Sequence, residues 1–404
     1  MMTDNHRDPV ALARECAELF AKRAAVHDAE ASFPTDDVAD LRAVGLLGLL
    51  VPRHLGGMGA GFEEYTRVAV ALARGSGSSA LVFNMHACVT GALAGVPDEL
   101  ARDLGAPDWF FEARDSVLRR AAEGALYGVA ITERGAGSRL SAMQSTYEPV
   151  PGGAYRIRGH KSVATGAGHV DTYLVAARSA QAGPDEDQRV SYFLVPHGDG
   201  VTVHDTWDPL GMRATASNGL TLDVEVPQTA LMGGIEGLTV LLAYAMPQWL
   251  VASYASVYVG VADAILEEAA RYIGSRTVAG QPGGLAHVGF IRARLGRADA
   301  MVEAARLALH EAGRRVDAAA GDPETNRAIY RAKLLAGDAA MQAAASCTEA
   351  CGLGALGRGS VLERLFRDAR NGAIMPPSSD VCADVLGSAL LGLDPMTGSE
   401  IRPW

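Results

Sequence analysis

Several features that would direct a protein to nucleic acids or membranes are missing from this chain. There is no excess of positive charge: 36 lysines and arginines face 47 aspartates and glutamates, for a formal net charge of −11. A polyphosphate partner wants a basic face, so nucleic acid is not expected as a ligand. No apolar run approaches the roughly 18 residues a membrane span requires, and no membrane is expected as a partner. The opening stretch MMTDNHRDPVALARECAELF lacks the apolar core of a secretory signal, so the expected location is the cytoplasm. Cysteine is scarce as well. Cys16, Cys88, Cys347, Cys351 and Cys382 are odd in number and lie mostly in helical patterns, which predicts reduced thiols rather than a disulfide framework. Cys347 and Cys351 would stack on one helix face, but two thiols do not complete a zinc site, and no metal is expected.

What is present is an ordinary globular composition, 49% hydrophobic and 21% charged over 404 residues, long enough for two or three packed units. Residues 1–125 read as helices. PTDDVADLRAVGLLGLLVP carries apolar residues at helical spacing with acids at its start, and EEYTRVAVALARGSGSSALVFNMHACVTGAL resumes that period after a glycine-rich connection. Over 126–236 the period shortens. ALYGVAITE, YRIRGHKSVATGA, DTYLVAARS, QRVSYFLVP and GLTLDVEVP are short β-branched and aromatic runs between turn signals, which predicts one antiparallel β domain. Long helical segments return over 237–404. The expected class is α+β: an N-terminal helical domain, a middle β domain and a C-terminal helical bundle.

Two glycine-rich stretches compete as cofactor loops. GLGALG, Gly352 to Gly357, fits the dinucleotide pattern G-x-G-x-x-G, but that pattern works only between a strand and a helix. Here an Ala-rich helical segment precedes it, so it reads as a helix C-cap. TERGAGS, Thr132 to Ser138, follows the apolar strand YGVAI and sets hydroxyls at both ends of two glycines. Such a loop lets backbone N–H groups approach a phosphate or a flat ring; an ordinary strand-to-strand turn is the competing reading.

With its neighbours, TERGAGS resembles the T-E-P-x-A-G-S loop of the acyl-CoA dehydrogenase superfamily. FPTDDVADLRAVGLLGLLVPRHLGGMG is similar to that family's opening helices, GHKSVATGAGHVDTYLVAA to its G-x-K-x-W-I-T-N-G strand, and LGMRATASNGLTLDVEVP to its L-G-x-R-x-S/T segment. ACGLGALGRGSVLERLFRDAR resembles the closing G-G-x-G and E-R-x-x-R-D-A segment. The resemblance spans nearly the whole chain. It implies an FAD-dependent oxidoreductase working as a homo-oligomer, a dimer or tetramer, with an electron-transfer flavoprotein or a flavin reductase as partner. It places Thr132 at the flavin edge, Gly137 and Ser138 at the pyrophosphate, Thr165 beside the ring, and Arg276 on FAD phosphates across a subunit interface. Gly352 and Ser378 complete the implied cofactor set.

The departures from that pattern carry the chemistry. The aromatic that stacks on the flavin is Val163 here, and the phenylalanine after the phosphate arginine is Ala279. The family's catalytic glutamate, counted along RDARNGAIMPPSSD, falls on Pro376, which has neither a carboxylate nor an N–H. The alternative position some relatives use falls on Leu250, and Asp263 lies too far along. Three substitutes are weighed: Asp380, which also reads as a helix cap; His86, which also reads as a satisfied core histidine; and Glu133 or Glu349, read as structural acids. Three functions remain open at this point. The first is a dehydrogenase or oxidase with an unusual base, acting on a small molecule that is bulky and hydrophobic and CoA- or carrier-linked. The second is a flavin monooxygenase of the same fold. The third is a subunit that depends on an active partner. The Ala-, Arg- and Gly-rich composition points to secondary metabolism.

Overall fold

The computed structural model describes residues 8–181, 189–277 and 283–393. Six helices come first: α1 (Pro9–Glu30), α2 (Thr35–Ala43), α3 (Phe62–Gly75), α4 (Gly77–Ala94), α5 (Asp98–Asp103) and α6 (Asp108–Ala122). Local chemistry fixes their ends. Asp8 accepts from the Val10 N–H at 3.0 Å ahead of Pro9, and Ser76 accepts from Ser79 N–H at 3.2 Å, starting α4 one residue after α3 ends. The α4 sequence is apolar or small all round and is buried almost end to end, as a helix without a polar face must be.

Seven strands follow: β1 (Tyr127–Ala130), β2 (Thr146–Val150), β3 (Ala154–Ala164), β4 (Thr172–Ser179), β5 (Val190–Pro196), β6 (Val201–His204) and β7 (Asn218–Val226). They form one sheet in the order β1-β4-β2-β3-β7-β6, with β5 also paired to β4. The sheet is mixed rather than wholly antiparallel as expected: β4 pairs parallel with both β1 and β2, and the remaining pairs are antiparallel. Long stretches of chain separate β1 from β4, so their pairing leaves no trace in local alternation. The β3–β7 register holds from Tyr155↔Val226 to Lys161↔Leu220 and then slips to Ala164↔Asn218. The extra residue on β3 is a bulge, and beside it Val163 forms an isolated bridge with Thr132.

The C-terminal part holds α7 (Thr239–Ala245), α8 (Ala252–Ser275), α9 (Gly289–Ala319), α10 (Pro323–Cys351), α11 (Val361–Ile374) and α12 (Ser379–Leu390). The apolar chain is interrupted at Pro247, where a single 3₁₀ turn separates α7 from α8. Residues 247–275 are long and apolar enough to cross a bilayer by length and hydropathy, yet they lie inside the packed core. There α8 is enclosed by α3, α9, α10 and α11. A charged side chain shares this interior. Lys333 of α10 donates to the carbonyls of Gly372 (2.9 Å) and Met375 (3.2 Å), closing the end of α11. The five cysteines are buried free thiols.

Candidate active site

A recess lies where the ends of β1 and β3 meet α4, the start of α8 and the segment after α11. Its lining brings together six residues named from the sequence: Thr132, Ser138, Val163, Thr165, Leu250 and Pro376. They come from four separate stretches of chain. Met85, Val129, Ile131 and Leu140 supply apolar wall between them.

TERGAGS is a closed loop at the rim. Glu133 and Gly137 exchange both backbone hydrogen bonds at 2.9 Å, and Gly135 and Gly137 take φ of +86° and +64°, which a side chain rarely tolerates. A Cβ on either glycine would meet nothing within 4 Å, so the space over the loop is open. Gly137 therefore spends its own N–H inside the turn. Ser138, next along, lines the recess, and neither its N–H nor its hydroxyl bonds to another described residue.

The loop is anchored from below by an ion pair that no short motif announces. Lys161 of β3 is fully buried, and its Nζ donates to Glu133 Oε1 and to the Ala176 carbonyl, both at 2.6 Å. Glu133 also accepts from the N–H groups of Gln144 (2.7 Å) and Ser145 (3.0 Å). Burial pushes the Glu133 pKa upward, but Lys161 and these bonds prevail and hold it below its ordinary value. Burial lowers Lys161 to about 8, with Glu133 opposing. These contacts account for Glu133 as a structural acid. Glu349, the other acid read that way, pairs with Arg294 on the surface.

Thr165 stands at the first position after β3 and Ser217 at the last before β7, so the strand register sets their hydroxyls face to face at 3.0 Å. Ser217 in turn meets Thr215 at 2.8 Å, and Thr215 donates to the Met212 carbonyl at 3.0 Å. All three residues are buried.

Among the described residues, no carboxylate, histidine or lysine lines the recess. Pro376 and Leu250, the two positions where the family pattern places a base, both do, and both are apolar. The substitutes fall elsewhere. Asp380 is exposed in the first turn of α12. The cap of that helix is Ser378, whose hydroxyl accepts from the Val381 N–H at 3.3 Å; Ser378 is therefore a helix cap here rather than a lining residue. His86 is a core residue: Nδ1 accepts from the Tyr127 N–H at 3.2 Å, and Nε2 donates to the Leu47 carbonyl at 2.6 Å. Burial lowers its pKa to about 4, which keeps the ring neutral. Asp263 is bound by Arg306 at 2.5 and 2.8 Å, away from the recess.

Arg276 and Gly352 lie at helix ends outside the recess lining. Arg276 caps α8 and lies over the Tyr272 ring at 4.5 Å, and Gly354 packs against the Tyr272 hydroxyl. GLGALG does close a helix: Gly352 ends α10 with φ of +76°. Neither Arg276 nor Gly352 lines the recess on this chain. Ala279 lies outside the described residues.

A second cavity adjoins the recess, with Tyr192 and Leu250 in both walls. Its lining is apolar nearly throughout, with Phe110, Leu174, Met246 and Trp249 among the larger side chains. The Tyr192 hydroxyl is buried with no hydrogen-bond partner among the described residues. The thiol of Cys88 is already committed to the Trp249 carbonyl at 2.5 Å. Lys333 completes the picture from outside, because its bonds to Gly372 and Met375 hold the chain that delivers Pro376 to the wall.

Comparison with known proteins agrees with this arrangement. Three family models match in chain order: the acyl-CoA dehydrogenase N-terminal domain over residues 3–104, the middle domain over 128–224 and the C-terminal domain over 251–391. The chain belongs to the acyl-CoA dehydrogenase family and is a flavin-dependent oxidoreductase. It is 26% identical to the putative acyl-CoA dehydrogenase YdbM of Bacillus subtilis (strain 168), over 90% of this chain and 91% of that one. It is 27% identical to a dibenzothiophene monooxygenase of Mycolicibacterium goodii, over 94% and 93% of the two chains. Among solved structures, FMN-bound TdsC from Paenibacillus sp. A11-2 superposes with a TM-score of 0.83 at 25% identity, covering 96% of this chain and 98% of that one. The cofactor is a flavin. The recess fits one: open space over the glycine loop, a hydroxyl at Ser138 with no partner among the described residues, and apolar walls for a flat ring.

Proposed function

We propose that the protein is a flavin-dependent monooxygenase of this fold, acting on a bulky apolar substrate held in the apolar cavity beside the flavin recess. One observation carries the reading: Leu250 and Pro376 occupy the two base positions, and among the described residues no acidic side chain replaces them in either wall. Oxidation of an acyl thioester needs a base for its α-proton, and losing one removes about 10²–10⁴ in rate. Proline also lacks the backbone N–H that would polarise a thioester carbonyl, a further loss of about 10²–10³.

Oxygenation needs no such base. A bound reduced flavin would supply the two electrons and two hydrogens by which one atom of dioxygen enters the substrate and the other leaves as water. The residues of this chain have other tasks. Thr132, Ser138 and Thr165 hold the ring and its chain, Val163 leaves room where the family pattern has an aromatic, and the apolar cavity excludes water from the reacting atoms. Dehydrogenation with a relocated base is the second reading, and the lack of an acid in the described walls weighs against it. The closed loop and its buried anchor weigh against a subunit without a site of its own.

The test supplies purified protein with FMN or FAD, a flavin reductase and its nicotinamide. Dibenzothiophene and indole are the probes, one the named substrate of a relative and the other a ligand of a solved one. Oxygen uptake with a product heavier by one oxygen atom is expected with at least one probe. Anaerobic bleaching of bound flavin by an acyl thioester, at rates usual for dehydrogenases, would overturn the proposal.

A further inference from the structure

Two buried phenols stand where the flavin recess meets the apolar cavity. Tyr192 of β5 lines both spaces, and Tyr254, in the first turn of α8 just past Leu250, lines the recess. Each residue is 8% exposed. The Tyr192 hydroxyl has no hydrogen-bond partner among the described residues, and that of Tyr254 has only the Met85 sulfur, a weak acceptor, at 4.0 Å. The polar groups beside them do not answer. Cys88 Sγ is committed to the Trp249 carbonyl at 2.5 Å, and the Ser253 hydroxyl to the same carbonyl at 2.6 Å. Burial, and after it the neighbouring Cys88, push both phenols above the usual tyrosine pKa, so each keeps a hydrogen to donate. A buried donor left unpaired is costly, and folded proteins rarely leave one so. Two at one junction mark a place that a ligand's polar atom completes.

The position of the pair says which ligand. Thr132, Ser138 and Thr165 come from the β1 and β3 side of the recess, whereas Tyr254 shares the helical side with Leu250 and Pro376, the two base positions of the family pattern. Beyond Tyr192 the cavity walls are apolar nearly throughout and suit only an apolar body. We propose that Tyr192 and Tyr254 are specificity-determining residues, whose hydroxyls donate to one carbonyl or phenolic oxygen at the recess end of an otherwise apolar substrate. The inference deepens the monooxygenase reading and rests on it for taking the ligand to be the substrate. One oxygen with two lone pairs accepts from both phenols, which seats the apolar body in the cavity and presents the carbon next to that oxygen to the recess. A hydrocarbon of the same shape leaves both hydrogens unpaired and is disfavoured for that reason.

Fluorene and fluorenone are the probes, the same fused-ring frame with a methylene in one and a carbonyl in the other. Their dissociation constants are measured by equilibrium dialysis on the full-length protein, with and without FMN, together with the infrared carbonyl stretch of bound fluorenone. In the wild type that stretch should lie at lower frequency than in cyclohexane, the mark of a carbonyl that accepts hydrogen bonds. Tyr192→Phe and Tyr254→Phe should each lower the preference for fluorenone over fluorene about fivefold and move the stretch back up. The wild-type band needs no variant, so the test stands even if neither variant folds. Failure of fluorenone to bind, a stretch equal to that in cyclohexane, or an unchanged preference in both variants overturns the proposal. Variants that weaken FMN while leaving the preference intact would assign the hydroxyls to the cofactor and overturn it as well. A lowered stretch that the variants relieve, without oxygenation of any probe, removes the monooxygenase reading and leaves the donor pair standing; oxygenation with an unshifted stretch does the reverse.

Discussion

The Lys161–Glu133 pair makes the most direct claim on the fold of the site. Both side chains are out of water, 0% and 4% exposed, and each satisfies the other at 2.6 Å. Removing one partner leaves a buried charge without compensation, which costs about 3–5 kcal/mol, whereas removing both leaves only lost hydrogen bonds. Lys161→Met should therefore lower stability by roughly 3–5 kcal/mol, a large share of the 5–15 kcal/mol typical of a native protein. Glu133→Gln should cost a similar amount, because the ammonium then keeps the Ala176 carbonyl at 2.6 Å but no anionic partner. The double variant should recover at least about 2 kcal/mol relative to the sum of the single changes, since the introduced amide can still accept from Gln144 or Ser145 and no charge is left behind. Urea denaturation read by circular dichroism gives the cycle, and flavin fluorescence gives its functional counterpart. The anchor sets the height of the TERGAGS rim, so the single variants should also bind flavin at least about tenfold more weakly. Single changes that each cost under about 0.5 kcal/mol and add without coupling would refute the idea that this pair is what fixes the loop.

Further outcomes follow from the same geometry. Pro376→Glu returns a carboxylate to the recess wall and should raise anaerobic bleaching of bound flavin by an acyl thioester at least about a hundredfold; no gain would mean the position does not face the reacting carbon. Tyr192→Phe removes a buried hydroxyl that lacks a partner among the described residues, so the free protein should lose no stability, while KM should rise about fivefold for a substrate bearing a polar heteroatom and stay level for a pure hydrocarbon. Equal effects on both substrates would deny the hydroxyl a role in recognition. His86 sets an acid limit. Its ordinary pKa of 6.5 falls to about 4 on burial, so between those values the unfolded chain binds a proton that the folded one refuses. Stability should therefore fall by roughly 3 kcal/mol as pH drops through that window, and His86→Gln should flatten the slope.

What could be read in advance was whatever a residue does through its near neighbours. TERGAGS announces its turn because glycines and hydroxyls sit close together in one short run, and GLGALG could be dismissed because the segment before it is helical. The loss at Pro376 was visible for a similar reason, being a matter of residue type in a short motif. Partners brought together by the sheet left no such mark. Lys161 lies 28 residues from Glu133, and Ser217 lies 52 from Thr165; the Thr132–Val163 bridge brings the first pair together and the β3–β7 register the second. His86 allowed two readings in the sequence, a base or a satisfied core histidine, and its partners Leu47 and Tyr127, from other segments, support the second. The break at Pro247 is hidden by apolar residues on both sides of it and is marked only by a residue that cannot donate in a helix interior.

The pattern of loss and retention in the recess narrows what the site is for. A site drifting out of use has no reason to keep a buried ion pair beneath its rim, since a charged pair in the interior is costly to maintain and an apolar replacement of similar volume is often as stable. Here Lys161 and Glu133 hold an open loop, Ser138 remains unengaged among the described residues, and the buried hydroxyls of Ser217 and Thr215 stand in hydrogen-bonded sequence behind that of Thr165. What is gone is confined to proton removal and ring stacking: the carboxylate at Pro376, its alternative at Leu250, and the aromatic at Val163. Binding machinery kept beside a deleted base describes an enzyme that still places a flavin against an apolar substrate but asks no side chain to take a proton from it. Reaction with oxygen meets that description, and the adjoining apolar cavity gives the substrate a place to wait.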